Sequence, residues 1–589
     1  MALQQLDAGL LHAAFINACH TIIMQRETLN AINVFPVADG DTGNNMAATA
    51  EAIINHALLQ PTLPATLQAV ANAAILGARG NSGMIFSQFF NGLLEIPLPE
   101  KIGTEQFANM VHFACISVRS AITNPVEGTI LTVMEVWGKS LANHANDTSC
   151  FNALLEKSNT DAELALQSTT NTLALLKEAQ VVDAGALGFT LFIQGFSSYL
   201  ANPAAIQEKK APMANVQHNH ELFTPGNPPE RRYCTEALLM GDAIDKSRLS
   251  RLLEEHGDSI VLTANKNLSR FHVHSNEPWK IFTALRDMGR VQYPKVDDML
   301  RQYQFLHTPK ARIALVTDTS ANIPQDVLDH YQIHLIALNI QIDEHHLLDK
   351  YSLDSASFYE SLGRLRTYPT SSCPSPAFIT EKIKHLSEHY DDVLIISVAA
   401  ALSGTYNSMN NAAKAYSNVH VINSCHVSGS QGLLVNHAAE LIADGLSISV
   451  IKSALMEKIG KTHLLIMVDQ FDSLIRSGRI SKLKGKFAQF TGMKPIISLD
   501  EEGHGIIFDK AFNETKALSK IVASVMELSN KEGLESYCII HAGAPKKAAE
   551  FAQMTTEAFG HEPAFIEPVS TAIGLHAGRG AVAIAAMMN

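Results

Sequence analysis

The sequence predicts a multidomain protein in which an all-α domain, a small α+β domain and an α/β domain follow one another. Three observations predict this order. Apolar residues recur at helical spacing up to about Leu200, short strand-like runs mixed with helices follow from Tyr233, and long buried strands alternate with helices from Arg312 onward. The length of 589 residues and the hydrophobic content of 46% are sufficient for several buried cores.

The first part, residues 1–202, is predicted as a helical bundle. Its apolar residues follow helical spacing at Leu6, Leu10, Ala14, Ala18 and Ile22, and again at Leu164, Thr169, Leu173 and Leu176. We expect the glycine-rich loops between the helices to gather at one end of the bundle. The following segment, 203–230, is hydrophilic and contains five prolines, which is typical of a linker.

The second part, residues 231–308, mixes strand-like runs at 259–263 and 270–274 with a helical run at 279–287, and it is predicted as a small α+β domain. In the third part, residues 309–589, strands are predicted at 312–317, 393–397, 419–423, 464–468 and 537–541, with helices between them. This alternation predicts an α/β domain.

Composition excludes several classes of function. The net charge of −13 argues against nonspecific binding to nucleic acid. No uninterrupted apolar run reaches the roughly 18 residues that a membrane span requires, so we expect no integral membrane protein, although a transient contact with a membrane surface stays compatible. The chain opens without a charged-then-apolar leader, and its seven cysteines form no CxxC pair. We therefore expect a cytoplasmic protein.

The most informative motif is an acidic turn in residues 33–45. Asp39 and Asp41 lie two residues apart, and Gly40 and Gly43 permit the bend that lets both carboxylates face one Mg²⁺ ion. Neutral oxygens or amide donors for phosphate come from Thr42, Asn44 and Asn45. A solvated loop or a helix cap is the alternative interpretation, and the motif alone leaves both open.

A second glycine-rich loop favours the metal-binding interpretation. Residues 77–83 contain Arg79, Gly80, Asn81 and Ser82, whose guanidinium, exposed amides and hydroxyl suit an anion. Neither loop fits the P-loop pattern or the dinucleotide-binding glycine pattern. The two loops together predict a metal-nucleotide site of another kind.

Residues 33–46, 77–83, 125–133 and 182–188 resemble, in the family's order, the nucleotide-binding L-subunit domain of dihydroxyacetone kinases and the kinase subunit of bacterial fatty acid kinase. The resemblance implies an eight-helix barrel that holds ATP with two Mg²⁺ ions on the carboxylates matching Asp39 and Asp41. The dihydroxyacetone enzymes carry a third aspartate before this pair, where Asn33 is the nearest candidate here.

The same resemblance implies further nucleotide contacts. Ser82 and the amides around Gly80 and Asn81 would hold phosphates, Thr129 would line the cleft, and Asp183 with Gly185 would approach the nucleotide. The Arg79 loop would offset charge on the transferred phosphoryl group and completes the expected catalytic set with Asp39 and Asp41. Helix capping is an equally good interpretation of Asp183.

The middle part also resembles this fatty acid kinase component, through residues 233–236 and 272–274. Alternating residues on a strand point the same way, so His272 and His274 can converge on one ion to which Cys234 adds a thiolate. Such a set of soft ligands suits Zn²⁺. The alternative, a pair of hydrogen-bonded histidines beside a buried thiol, stays open because no fourth ligand is visible.

The third part resembles the DegV family of fatty-acid-binding proteins through residues 316–324, 371–375, 402–406, 477–480 and 573–578. Matching motif to motif, the resemblance implies that a lipid carboxylate meets Ser371, Ser403, Arg479 and His576. The sequence departs from the family pattern at Ser371, Cys373 and Arg579, and Arg476 competes for the role of the arginine.

These resemblances imply a fusion that phosphorylates a fatty acid bound by the DegV-like part and yields an acyl phosphate. The expected partners are the fatty acid, a second copy of the chain in a homodimer, and an acyltransferase that uses acyl phosphate. Two alternatives stay open: a kinase for a small polyol, and a lipid-binding or regulatory protein whose nucleotide site only senses ATP.

Overall fold

A computed structural model describes residues 3–35, 40–203, 228–469, 472–476 and 494–589. Contacts divide the chain into two compact units. The first unit contains Met1–Glu277 and Ala284–Asp297, and the second contains Pro278–Thr283 and Asp298–Asn589. The second and third predicted parts are therefore not separated at a single point of the chain, since residues 278–283 group with the second unit.

The first unit begins with a helical domain. Its helices are α1 (Ala8–Met24), α2 (Arg26–Ala31), α3 (Thr42–His56), α4 (Leu63–Gly77), α5 (Gly80–Gly92), α6 (Thr104–Ser120), α7 (Ile130–His144), α8 (Phe151–Thr172), α9 (Ala174–Ala179) and α10 (Ala184–Ala201). Two short antiparallel strands, β1 (Leu6–Asp7) and β2 (Lys101–Ile102), accompany them.

The eight longer helices form a closed ring. In the order α1, α3, α4, α5, α6, α7, α8 and α10, each helix packs against the next, and α10 returns to α1. Aromatic side chains fill the interior: the ring centroids of Phe15 and Phe90 lie 5.4 Å apart, and those of Phe90 and Phe192 lie 5.5 Å apart, both pairs edge to face. The prediction of an eight-helix barrel is confirmed.

Two details of the helical prediction were wrong. Leu6 pairs with Ile102 in β1 rather than starting a helix, because Asp7 accepts a hydrogen bond from Leu10 N at 3.0 Å and so caps α1 one residue before Ala8. The later helical run is broken at Leu173, which is extended, and Leu164 is 66% exposed on α8. A single exposed leucine is common on a protein surface.

A four-stranded sheet with two helices follows. Its elements are β3 (Tyr233–Met240), α11 (Lys246–His256), β4 (Asp258–Ala264), β5 (Leu268–Ser275), α12 (Pro278–Leu285) and β6 (Arg290–Asp298). The strand order is β4-β5-β3-β6, and β5 is antiparallel to both β3 and β4. The prediction of a small α+β domain is confirmed.

This sheet packs directly on the helical barrel. Leu262 N donates to Ala121 O at 3.1 Å, and Thr123 N donates to Ile260 O at 3.2 Å, so β4 extends along the segment after α6. Arg270 Nη1 on β5 donates to Leu76 O near the end of α4 at 3.3 Å. The sheet therefore lies beside the loop between α4 and α5.

The second unit is α/β. Its elements are α13 (Met299–His307), β7 (Ile313–Asp318), α14 (Gln325–His330), β8 (His334–Ile336), β9 (Asn339–Ile342), β10 (His345–Leu348), α15 (Ser355–Ser361), β11 (Thr370–Ser372), α16 (Pro376–His389), β12 (Asp392–Ser397), α17 (Thr405–Ala413), β13 (Val419–Asn423), α18 (Gly429–Ala443), α19 (Ile448–Gly460), β14 (Thr462–Met467), α20 (Asp472–Arg476), β15 (Lys494–Leu499), β16 (Gly505–Ala511), α21 (Glu514–Glu532), β17 (Leu534–His541), α22 (Pro545–Phe559), β18 (Ile566–Pro568), α23 (Thr571–Ala577) and β19 (Val582–Met588).

These strands form two larger sheets and a small one. One sheet has the order β13-β12-β7-β8 with parallel neighbours, and the other has the order β16-β15-β14-β19-β17-β18 with mostly antiparallel neighbours. Strands β10, β9 and β11 make a separate antiparallel sheet. Each larger sheet has its own apolar core, which agrees with the predicted fold of two subdomains.

All five strands that the sequence predicts in this part are present, each within three residues at either end. Of the helices in the described residues, none is both long enough and apolar enough to cross a bilayer.

Candidate functional site

The acidic turn leads directly into α3. Gly40 has φ +66°, the left-handed conformation that the sequence predicts for this glycine. Asp41 immediately precedes α3, and its Oδ1 accepts a hydrogen bond from Asn45 Nδ2 at 2.8 Å. Asp39 lies outside the described residues, so its approach to Asp41 stays a prediction. Gly43 is required for another reason than the bend, since a Cβ there would lie 2.0 Å from Arg26 O.

The polar neighbours of Asp41 are held by hydrogen bonds within the barrel. Thr42 Oγ1 donates to Asn33 Oδ1, so the candidate for a third metal ligand holds the threonine hydroxyl. Asn44 pairs with Asn30 of α2 through both its backbone N, at 3.0 Å, and its side-chain Oδ1, at 3.3 Å. Asn45 therefore has the most direct link to the Asp41 carboxylate among these predicted residues.

The second loop touches the first. Gly80 starts α5 with φ +56°, and a Cβ on it would lie 2.2 Å from Asn45 Nδ2. Asn81 and Ser82 are half-buried in the first turn of α5, and Asn81 Oδ1 is buried without a hydrogen-bond partner in the described part of the chain. Arg79, which precedes α5, is exposed. The N-termini of α3 and α5 are thus adjacent, as the two motifs predict.

Two more helices begin at the same end. Thr129 caps α7: its Oγ1 accepts from Leu131 N at 3.4 Å and donates to Val126 O at 2.7 Å. A Cβ on Gly185, in the first turn of α10, would lie 3.5 Å from Ser82 Oγ and 3.3 Å from the Cβ of Ile130 on α7. The N-termini of α3, α5, α7 and α10 therefore gather, and their backbone amides and helix dipoles favour an anion.

Asp183 caps α10. Its Oδ1 accepts from Ala186 N at 2.8 Å, and a backbone hydrogen bond from Ile130 ties it to α7. Burial raises the pKa of Asp183 to about 6, although both backbone hydrogen bonds lower it. The capping interpretation of this residue is what the structure describes, and its contact with a nucleotide stays a prediction.

The middle domain contributes a cluster of potential metal ligands. Strands β3 and β5 pair Cys234 with His274 and Glu236 with His272. Cys234 Sγ lies 3.5 Å from His272 Nδ1, and the Nε2 atoms of His272 and His274 lie 3.1 Å apart. One potential ligand atom from each of Cys234, His272 and His274 lies within 4.8 Å of the others. The predicted convergence of these three residues is present.

This donor set fits Zn²⁺. Two ligand nitrogens about 2.0–2.1 Å from a tetrahedral ion lie roughly 3.3 Å apart, close to the 3.1 Å between the two Nε2 atoms. Burial, followed by the charge of His272, lowers the pKa of His274 to about 3, so this imidazole is neutral and able to ligate. The same 3.1 Å also fits a hydrogen bond between two neutral imidazoles, which is the alternative that the sequence leaves open.

Sequence reasoning assigned no role to Glu236 and Lys295, which complete this cluster. Glu236 is fully buried, and its Oε1 accepts from Gly80 N at 2.9 Å and from His272 Nδ1 at 3.1 Å. Lys295 Nζ lies 2.8 Å from Asp297 Oδ2. Burial lowers the pKa of Lys295, but the charges of Asp297, Glu236 and Asp41 outweigh it and raise the pKa well above its usual value. The cluster and the Asp41 turn thus share one electrostatic environment.

In the second unit, the structure brings together two of the four predicted carboxylate ligands. Ser371 Oγ on β11 and His576 Nε2 on α23 lie 3.3 Å apart. Ser403 Oγ instead bonds its neighbour Thr405, 2.8 Å away, at the start of α17. Arg479 lies outside the described residues.

The competing arginine, Arg476, is exposed, and its guanidinium lies 5.4 Å from the ring centroid of Tyr368. Tyr368 OH donates to Leu575 O, next to His576. Arg476 is therefore linked to the serine-histidine pair through one aromatic residue. Arg579 is exposed, and Cys373 is half-buried.

A buried carboxylate shapes the edge of the parallel sheet in this unit. Asp318, at the end of β7, accepts from Val398 N at 2.8 Å, from Ser320 N at 3.1 Å and from Gln431 Nε2 at 3.3 Å. Burial raises the pKa of Asp318 despite these donors. The motif that begins at residue 316 thus fixes the loops after β7 and β12.

The fold and these sites define the class: a helical barrel whose helix N-termini face an aspartate turn, joined to an α/β domain that carries a serine-histidine pair. Three family models match the chain in the same order. They are the DAK2 domain over residues 36–198, the FakA-like middle domain of fatty acid kinase over 230–305, and the DegV family over 312–589. The chain is therefore a fusion of a DAK2 domain, a FakA-like middle domain and a DegV-family domain.

Curated relatives match the first half of this arrangement in length. The chain is 29% identical over 315 residues to an uncharacterized protein of Staphylococcus haemolyticus, which covers 51% of this chain and 57% of that protein. It is 28% identical over 327 residues to Protein YloV of Bacillus subtilis, covering 53% and 59%. The chain thus spans little more than half the length of the curated relatives it matches.

Solved structures are similar to the other half. The DegV fatty acid binding protein from Bacillus subtilis is 30% identical, and the match covers 47% of this chain and 100% of that one with a TM-score of 0.43. A fatty-acid-binding DegV family protein from Thermus thermophilus is 23% identical, covers 47% and 100%, and has a TM-score of 0.45.

Proposed function

We propose that this chain is an ATP-dependent kinase that phosphorylates the carboxylate of a fatty acid bound by its own DegV domain. The observation that carries this proposal is the order of the three family matches, since a FakA-like middle domain of fatty acid kinase stands between a DAK2 domain and a DegV domain. The products are an acyl phosphate and ADP.

The gathered helix N-termini support nucleotide binding in the barrel. Four sets of free backbone amides, at the starts of α3, α5, α7 and α10, suit the phosphates of ATP. Asp41, together with Asp39, would hold Mg²⁺, and the oxygen ligands that Mg²⁺ prefers are available there. Bound Mg²⁺ supplies neutralisation of the charge that spreads over the transferred phosphoryl group.

The serine-histidine pair supports binding of a carboxylate in the second unit. A carboxylate removed from water is costly unless several donors surround it. Ser371 and His576 offer two donors that already lie together, 3.3 Å apart. Ser403 and Arg479 would add a second hydroxyl and a guanidinium, which binds carboxylates in a bidentate manner.

The proposed reaction needs no general base. A carboxylic acid with a pKa of about 4 to 5 is already ionised at neutral pH. One carboxylate oxygen forms a bond to the γ-phosphorus of ATP, the bond between that phosphorus and the β,γ-bridging oxygen breaks, and ADP leaves with the electron pair. The chain's own residues orient the two reactants and exclude water, which is the main source of rate in phosphoryl transfer.

Further parts of the proposal concern the setting of the reaction. Joining the two domains raises the local concentration of the acceptor, to about the millimolar range if the chain between them allows the sites to meet. We place the protein in the cytoplasm as a homodimer that passes acyl phosphate to an acyltransferase. Cys234, His272 and His274 would hold Zn²⁺, which metal analysis of the purified chain tests.

The experiment measures ADP release with and without an added fatty acid. We expect release that depends on the fatty acid and falls by at least about 100-fold in Asp41→Ala, because charge neutralisation by the metal is worth several kcal/mol. Asp147→Ala, an exposed aspartate after α7, is the matched control and should retain wild-type release.

Two results would contradict the proposal. ADP release that responds to a small polyol but not to fatty acid would favour the polyol kinase. Co-purified fatty acid together with ATP binding, but without any ADP release, would favour a lipid-binding protein that senses nucleotide.

A further inference from the structure

Glu236 joins the two polar clusters of the first unit through one oxygen atom. Its Oε1 accepts a hydrogen bond from Gly80 N, 2.9 Å away, at the start of α5. The same oxygen lies 3.1 Å from His272 Nδ1. The glutamate therefore touches both the anion-binding loop of the barrel and the imidazole of the potential metal cluster, which are 156 and 36 residues away in sequence.

The charge state of Glu236 fixes the tautomer of His272. Burial raises the pKa of this carboxyl, but the hydrogen bond from His272 and the charges of Lys295, His272 and Arg270 outweigh burial and lower the pKa to about 2. An ionised carboxylate only accepts hydrogen bonds, so His272 Nδ1 must carry the proton. His272 Nε2, which lies 3.1 Å from His274 Nε2, then keeps its lone pair for a metal ion.

This arrangement is that of a carboxylate that orients a metal-ligating histidine. A metal ion on Nε2 polarises the Nδ1–H bond and strengthens its hydrogen bond to Glu236. Without the ion, His272 is free to change tautomer or rotate, and Glu236 loses the partner that holds its Oε1 against Gly80. Glu236 Oε2 is buried without a hydrogen-bond partner among the described residues, so few other contacts would keep the carboxylate in position.

We propose that Glu236 is a positioning residue that couples metal binding at Cys234, His272 and His274 to nucleotide binding at the start of α5. The inference rests on the nucleotide site of the proposed function and adds to it a structural role for the metal. Metal binding stabilises the Glu236-Gly80 contact and thereby the loop conformation that receives phosphate. By linkage, bound nucleotide raises metal affinity by the same factor.

The test is a calorimetric titration of the full chain with MgADP, carried out on zinc-loaded protein and on protein treated with a zinc-selective chelator. Zinc content is measured by mass spectrometry of the metal before each titration. In the wild-type chain we expect chelation to weaken MgADP binding about tenfold, within the roughly 5- to 150-fold range of allosteric coupling. In Glu236→Ala we expect the two forms to bind MgADP equally.

Glu255→Ala is the matched control, since this glutamate is exposed on α11 of the same domain. It should retain the tenfold ratio. Glu236→Gln, which keeps an oxygen acceptor for Gly80 N, shows whether the carboxylate's charge is needed, and circular dichroism confirms that each variant is folded. The ratio of the two affinities is the decisive quantity, because a merely structural role would weaken binding equally in both metal states.

Each contrary outcome has a distinct meaning. A wild-type chain that binds no MgADP would contradict the proposed function itself. MgADP binding that is equal with and without zinc, a chain that takes up no zinc, or a Glu236→Ala variant that keeps the tenfold ratio would overturn the coupling and leave the proposed kinase intact.

Discussion

The contact between the two loops of the barrel predicts a large effect for Gly80→Ala. Gly80 has φ +56°, and an alanine in this left-handed conformation costs about 1–2 kcal/mol. Its Cβ would lie 2.2 Å from Asn45 Nδ2, so Asn45 must move and lose its hydrogen bond to Asp41. A hydrogen bond to a charged group is worth about 1.5–3 kcal/mol.

The two effects sum to a loss of about 2.5–5 kcal/mol in the free energy of unfolding of the first unit. Urea unfolding, followed by circular dichroism, measures this loss, and the titration with MgADP measures the accompanying loss of nucleotide affinity. Since the Asp41 turn and the start of α5 both change, we expect MgADP to bind at least about tenfold more weakly, which corresponds to about 1.4 kcal/mol.

Gly445→Ala is the matched control. Gly445 has φ +76°, and a Cβ on it would meet nothing within 4 Å, so only the backbone cost of about 1–2 kcal/mol applies. The double variant with Asn45→Ala should be less destabilised than the sum of the two single variants, because the clash is removed. A Gly80→Ala variant that loses no more stability than Gly445→Ala, and binds MgADP normally, would refute the reasoning.

Two further predictions concern pH and the lipid site. The pKa of Asp183 rises from 3.8 to about 6 on folding, so the folded state binds the proton more tightly, and the stability from this group is fully present below pH 3.8 and lost as pH rises through about 6. The loss is about 3 kcal/mol; urea unfolding between pH 4 and 8 should show it in the wild-type chain but not in Asp183→Asn, and identical pH profiles would contradict it. Ser371→Ala should weaken fatty acid binding roughly 10- to 150-fold by removing a hydrogen bond to a charged group, whereas Ser372→Ala, an exposed neighbour on β11, should not; fluorescence of a bound lipid analogue measures both, and equal affinities would remove Ser371 from the site.

Much of the fold follows from local patterns in the sequence. Residues 419–423 were predicted as a strand from a buried apolar run, and the observed β13 has the same bounds. Helix boundaries were less accurate. Leu6 satisfies the helical spacing, but Asp7 competes for the position that starts the helix, and tertiary pairing with Ile102 decides the outcome.

The candidate site was predictable where the residues lie close in sequence or on one strand. The period of two places His272 and His274 on the same face, and the register of β3 and β5 brings Cys234 to them. The same period also placed Glu236 on the face of Cys234, a signal that was available. Its contact with Gly80 could not be foreseen, because the docking of the sheet on the barrel depends on contacts distant in sequence.

Glycine roles show the same limit. Gly40 was predicted to permit a bend, and its positive φ agrees. Gly43 was assigned the same role, but the structure places it in the first turn of α3, where the backbone of Arg26 leaves no room for a Cβ. Sequence identifies that a glycine matters, whereas only the packing distinguishes conformational freedom from close approach.

The proposed chemistry is tested most directly by trapping the product. The purified chain is incubated with ATP, Mg²⁺ and a fatty acid in the presence of hydroxylamine, which converts an acyl phosphate to an acyl hydroxamate, and mass spectrometry measures the hydroxamate against the ADP formed. Our account predicts hydroxamate and ADP in equal amounts and neither from Asp41→Ala. ADP that accumulates without any acyl hydroxamate would contradict it.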